Sequence, residues 1–175
     1  MIPFTHLHVH SQYSILDVAA SVDALVTKAK SDGMKALALT DHGTMFGIKE
    51  FHSTCKKSGI IPILGCETYV AARTINDKKD KIDRSGHHLI LLAKNEKGYK
   101  NLVKLISIAN NEGFYYKPRI DKTLLEKYSE GLIVSSSCLG GEIPTLLTNN
   151  HLKDAEDVIL WYKNIFGSDY YLELQ

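Results

Sequence analysis

The chain opens MIPFTHLHVH, and His6, His8 and His10 stand at alternate positions of this run. In an extended strand, alternate side chains leave from one face, so the three imidazoles project together while Leu7 and Val9 project from the other. Two imidazoles one strand step apart can share a metal ion. The bland alternative is a row of stacked surface histidines, because His is buried to very different degrees from protein to protein. More donors recur at similar places: ALALT runs into Asp41-His42-Gly43, Glu67 follows ILGC, His88 opens HLILLA, and Cys138 follows GLIVSS. Nitrogen, oxygen and sulfur donors are thus offered by five apolar strands, mostly at their C-terminal ends, where barrel active sites collect, and packing alone does not account for that convergence. Asp17, a short loop beyond His10, reads equally well as a further ligand or as a turn residue ahead of a helix.

Mixed imidazole and carboxylate donors suit Zn²⁺, Mn²⁺ or Fe²⁺ at ligand distances of about 2.0–2.3 Å, and a thiolate tilts the choice toward softer ions. The set exceeds what one tetrahedral ion needs. Ions about 3.5–4 Å apart acidify a bound water, align it with phosphorus and offset charge on the leaving oxygen. The predicted chemistry is phosphoester hydrolysis by a metal-bound water, with no protein nucleophile. Tyr13 and Arg84 are the candidate substrate contacts; like Ser11, Lys117 and Arg119, they are polar residues near strand ends or loops, a class found more often at the surface than on a ligand.

The elements that must position these residues alternate between strand-like and helix-like segments, the pattern of βα units and a parallel sheet. Strands are expected over Phe4–Val9, Ala36–Thr40, Ile60–Val70, His88–Ala93, Gly131–Ser135 and Tyr170–Leu174. Between them, Val22, Leu25, Val26 and Ala29 follow the cap Ser21 at helical spacing, with Gly33 as the stop. Ile48, Phe51, His52 and Cys55 repeat that spacing before Gly59. Tyr99, Leu102, Val103 and Ile106 mark a third helix, Asp121–Tyr128 a shorter one, and Ala155, Val158, Ile159 and Tyr162 a last one that Gly167 ends. The stretch Arg73–Gly86 is polar without period and reads as an exposed loop, the first place to expect disorder.

With 175 residues, 44% hydrophobic and 23% charged, the chain is an ordinary globular domain able to bury one core. A formal charge of +1 supplies no global field toward a polyanion or lipid surface, so nucleic-acid contacts must be local or made by other chain. Cys55, Cys66 and Cys138 form no CxxC pair, which argues against a disulfide framework or zinc ribbon and fits a reducing cytoplasm. No basic leader or membrane-length apolar run is visible, so no membrane association is expected.

Through HLHVH, TDHG, GCE and the His of HLILLA, the chain resembles the PHP (polymerase and histidinol phosphatase) superfamily. HVHSQYSILD, LTDHGTMFGIKEF, GIIPILGCETYV, LLAKNEKGYKNL, GFYYKPRID, SCLGGEI and FGSDYYLELQ resemble, in order, blocks of the branch carried by bacterial DNA polymerase III alpha subunits. The resemblance implies an α/β fold, a distorted (βα)7 TIM-like barrel with up to three metal ions, Zn²⁺ or Mn²⁺. It places ligands on His8, His10, Asp17, His42, Glu67, His88 and Cys138. His6 does not map and is expected deeper on the same face. The family's final Asp-x-His pair lies beyond YLELQ, so residues 1–175 are expected to be one PHP domain, truncated before its last strands, with partial metal occupancy and an open sheet edge prone to self-association.

The implied activity is a metal-dependent phosphoesterase or 3′→5′ exonuclease within a DNA-directed DNA polymerase. The alternative is a metal-stabilised scaffold that binds the proofreading exonuclease subunit. DNA, reached through the full-length polymerase, and other replisome subunits are the remaining implied partners. A free-standing histidinol phosphatase leaves GFYYKPRID and SCLGGEI unexplained.

Overall fold

Strand periodicity decides which side chains can meet. In the computed structural model, which describes residues 4–15 and 17–174, β2 (Ile61–Val70) is the central strand, with β1 (Ala36–Leu39) parallel on one side and β3 (His87–Ala93) antiparallel on the other. Outward from β3 come β5 (Leu132–Ser135), antiparallel, and β6 (Tyr170–Tyr171), parallel to β5; β4 (Arg119–Ile120) pairs with β2. The class is α/β, as expected, but the sheet is mixed rather than parallel. Parallel neighbours need a crossover, and residues 71–86 hold no helix, so the chain returns antiparallel from β2 to β3.

Helices α1 (Val22–Ser31), α2 (Ile48–Ser58), α3 (Glu96–Asn111), α4 (Lys122–Lys127) and α6 (Leu152–Phe166) fall where the apolar spacing places them. Ser21 caps α1 through Ala24 N–H, Asn95 caps α3 through Gly98 N–H, and Asp121 caps α4 through Leu124 N–H, each satisfying an otherwise orphaned donor. Helix α5 (Glu142–Thr148) was not foreseen; Pro144 lies in its first turn, where a missing N–H costs nothing.

One face of the sheet, with Cys66, Leu89, Leu91 and Val134, packs on Leu102 and Leu105 of α3 and Tyr162 of α6. A second cluster joins Leu37 and Leu39 to α1 and α2 through Val22, Val26 and Phe51. The opposite face carries Ala38, Ile90 and Leu92 with Ile63 and Ile133. Glu67 pairs across the ladder with Ile90, and Tyr69 with His88. Cross-strand partners share a face, so Glu67 and His88 emerge on this second side, away from the helices.

Two expected strands differ. Residues 4–10 form no regular strand: Leu7 and His8 lie in a bend, although Ala38 N–H donates to His6 O (3.0 Å) and Thr40 N–H to Val9 O (2.8 Å). Val9 N–H is taken by the Thr40 hydroxyl at 2.8 Å, so a side chain replaces a rung of the ladder. Likewise β6 stops at Tyr171, and Glu173 N–H goes to Ser136 Oγ at 2.9 Å.

The polar loop is not loose. Buried Arg119 donates to the carbonyls of Gly113, Asp77, Asp83 and Ile75 at 3.0–3.1 Å, and Arg73 pairs with buried Asp83. Among the described residues no helix is long and apolar enough to cross a membrane.

Candidate metal centre

Glu67, 1% exposed, is the hub. Its Oε1 lies 2.8 Å from His88 Nδ1 and 3.4 Å from His8 Nε2, and its Oε2 lies 2.8 Å from His42 Nδ1 and 3.1 Å from His10 Nε2. Asp17 Oδ2 joins from the solvent side, 3.1 Å from His42 Nε2. Cys138 Sγ lies 3.5 Å from His88 Nδ1 and 3.6 Å from Glu67 Oε1. All seven residues singled out as ligands therefore meet in one cluster, drawn from segments as distant in sequence as His8 and Cys138. Three overlapping donor groups have ligand atoms within 4.8 Å of one another: His8, His10 and Glu67; His10, Asp17 and His42; His42, Glu67 and His88.

The donor geometry fits a cation. Glu67 Oε2 and His42 Nδ1 are buried and lack an aligned hydrogen-bond partner despite their 2.8 Å separation. Buried polar atoms are rarely left this way, and lone pairs that miss each other while converging on common space are what a ligand pair needs. The stacked His10 and His42 rings, with centroids 4.1 Å apart, hold both imidazoles in the same cramped wall.

Electrostatics follow from the crowding. Burial would raise the Glu67 carboxyl, but contacts with His10, His42, His8 and His88 outweigh it and hold the group far below the usual carboxylate range. For His8 burial favours the neutral ring, yet Glu173 and Glu67 overcome it and raise the group to about 10. Contact with Glu67 raises His42 as well, against burial and with help from Asp17.

Several supporting residues were not legible in the sequence. Glu173 Oε1 lies 2.7 Å from His8 Nδ1, and Ser135 Oγ donates to Glu173 Oε2 at 2.6 Å; a carboxylate on the far ring nitrogen orients a ligating imidazole. Ser137 Oγ donates to Glu67 Oε1 at 2.7 Å. Buried Asp41 accepts from Ser11 N–H, Ser11 Oγ and Ser14 Oγ at 2.6–2.8 Å, and Ser14 Oγ in turn accepts from His42 N–H. The TDHG run gave Asp41 a place beside the site, whereas Glu173 and Ser137 carried no signal of their own.

The expectation for His6 changes, and the candidate substrate contacts have partners of their own. His6 is exposed and edge-on to Phe4 at 4.8 Å; the bend at Leu7 and His8 breaks the alternation, so it is not deeper on the shared face. Tyr13 directs its hydroxyl to Glu50 Oε2 at 2.8 Å. Arg84 lies over the Tyr116 ring at 4.5 Å. Arg119 and Ser11 are fully buried and spent on internal bonds. Lys117 Nζ sits 5.4 Å over Tyr69, whose ring faces His88 at 5.1 Å and His42 at 6.1 Å.

The chain is similar to DNA polymerase III subunit alpha of Borreliella burgdorferi, 56% identical over 98% of this chain, and of Aquifex aeolicus, 50% identical over 98%. It spans 15% of the length of either relative. Among solved structures, a two-domain protein from Bacteroides vulgatus described as containing a PHP-like metal-dependent phosphoesterase aligns at 16% identity and TM-score 0.47, over 75% of this chain and 33% of that one. The PHP domain model matches residues 6–175, and the chain belongs to that family.

Proposed function

We propose that the cluster binds a set of divalent ions, Zn²⁺ or Mn²⁺, and hydrolyses phosphoesters, acting as a 3′→5′ exonuclease within a replicative DNA polymerase. The observation that carries this is the buried Glu67 carboxylate, each oxygen of which faces two imidazoles while Oε2 and His42 Nδ1 lack aligned partners. A bound cluster supplies an acidified water and compensates charge on the phosphoryl oxygens. Glu67 would supply carboxylate oxygens to such a cluster, with His8, His10, His42 and His88 as nitrogen donors, Asp17 as the solvent-side oxygen donor and Cys138 as the soft donor. Glu173 and Ser137 keep the His8 ring and the Glu67 carboxylate in register. The polymerase activity, DNA as substrate and the replisome partners belong to this proposal through the names of the longer relatives. Free Cys55, Cys66 and Cys138 suit a reducing cytoplasm.

A second reading is favoured by one feature: the cluster ties the N-terminal segment, four loops or strands and residue 173 together, so an ion there would also staple the fold. Under that reading the domain is a scaffold for the proofreading exonuclease subunit. The intact protein, loaded with Zn²⁺ or Mn²⁺, should release nucleotides from 3′-labelled single-stranded DNA and cleave bis-p-nitrophenyl phosphate. His8→Ala with His10→Ala should lower both by at least about 100-fold, the upper end of what even ligand-support changes cost, with the circular dichroism spectrum retained. Metal-loaded wild type without hydrolysis, or loss of fold in the variant, would favour the scaffold.

A further inference from the structure

The rim of the centre is built by the turn between α3 and β4. Tyr115 N–H donates to Lys117 O at 3.0 Å, closing a tight turn in which Tyr116 takes a left-handed backbone, φ 60°. A non-glycine residue adopts that conformation only when its surroundings enforce it. They do so here. Pro118 packs against Gly43, where an added Cβ would lie 2.5 Å from Pro118 Cγ, and the buried Arg119 guanidinium lies 5.4 Å from the Tyr115 ring. The turn is thus fixed to the residue that follows His42.

This rigid turn presents an unusual surface. Phe114 and Tyr116 are 53% and 55% exposed, Arg84 covers one side of Tyr116, and Lys117 lies over Tyr69 beside His42 and His88. Among the described residues neither Arg84 nor Lys117 has a carboxylate partner. Cations with free charge interleaved with exposed aromatic rings, held one ring from a metal-ligand cluster, match what a flexible polyanion with flat bases requires. A small phosphomonoester needs the cations but gives no role to two exposed rings.

We propose that this ledge seats the terminal nucleotides of a single-stranded nucleic acid: Tyr116 stacks on a base, and Lys117 and Arg84 hold flanking phosphates. The placement of the scissile bond rests on the phosphoesterase reading above; the ledge itself does not. The test uses the intact protein and a single-stranded oligothymidylate ending in 4-thiothymidine, irradiated in EDTA so that hydrolysis plays no part. Adducts are expected within residues 113–117, lost with Tyr116→Ala and reduced with Lys117→Gln. In metal-loaded protein the same variants should lower kcat/KM for the oligonucleotide about tenfold, mainly through KM, a typical cost of losing one stacked base. Cleavage of the small diester bis-p-nitrophenyl phosphate, which has no flanking nucleotides to seat, should stay within about twofold, as expected for loss of binding made away from the reacting bond. Adducts confined to other segments, or an equal loss on both substrates, would overturn the ledge. Absence of all hydrolysis with adducts still at the turn would instead remove the phosphoesterase reading and leave the ledge standing.

Discussion

At the scale of residues, the centre is a negative hub whose contacts favour the protonated form of two of its imidazoles, His8 and His42. His8 is raised to about 10 and His42 is raised too, both chiefly by contact with carboxylates that overcomes burial. A metal needs the neutral ring. At neutral pH the His8 ring must therefore lose a proton as an ion binds, and affinity must rise with pH up to its raised value of about 10. Calorimetric zinc titrations at pH 7, in buffers of different ionisation enthalpy, should report net proton release, with weaker binding at pH 6 than at pH 8. Binding without proton release would contradict the account. The donor types and strand-end positions were legible because each ligand stands beside a recognisable apolar run. Glu173 was not, since a glutamate in YLELQ has no local feature that names His8 as its partner; only the pairing of β5 with β6 brings it there.

At the scale of elements, the apolar spacing located the long helices and the central strands, because burial of one face writes a period into the sequence. It misplaced what side-chain hydrogen bonds decide. The Thr40 hydroxyl takes a rung from the segment around Val9, and Ser136 takes one near Glu173. The same limit hid the order in residues 73–86, whose anchor is a single arginine from a distant two-residue strand. Arg119→Met would strand four loop carbonyls now bonded to a charged group, at a cost of about 3 kcal/mol or more, since charged hydrogen bonds are worth about 1.5–3 kcal/mol each before the relief of burying no charge. Urea denaturation should show that loss, with amide exchange quickening most in residues 75–84. A change under about 1 kcal/mol would show that the anchor is dispensable.

At the scale of the molecule, a mixed α/β sheet with helices on one side leaves the other side for chemistry. That second face, with Ile63, Leu92 and Ile133, borders a cavity of about 790 Å³ that also reaches His8 and Glu173. Beyond it, β6 pairs only with β5 among the described residues, and Leu172 and Leu174 are 55% and 96% exposed. An unpaired, apolar sheet edge invites further pairing, so the 175-residue chain should self-associate with rising concentration in light scattering; a dispersed monomer at millimolar concentration would show the edge is protected. Parallel order failed as an expectation for a molecular reason: the connection after β2 lacks a helix, a property of sixteen residues that no strand pattern records. The most direct test of the central claim is a crystal structure of the metal-loaded protein with anomalous scattering measured at the zinc or manganese edge. Density for ions is predicted between the Glu67 carboxylate and the rings of His8, His10, His42 and His88, and absent in Glu67→Ala. Ions bound only elsewhere, for instance at exposed His52 or His151, would contradict it.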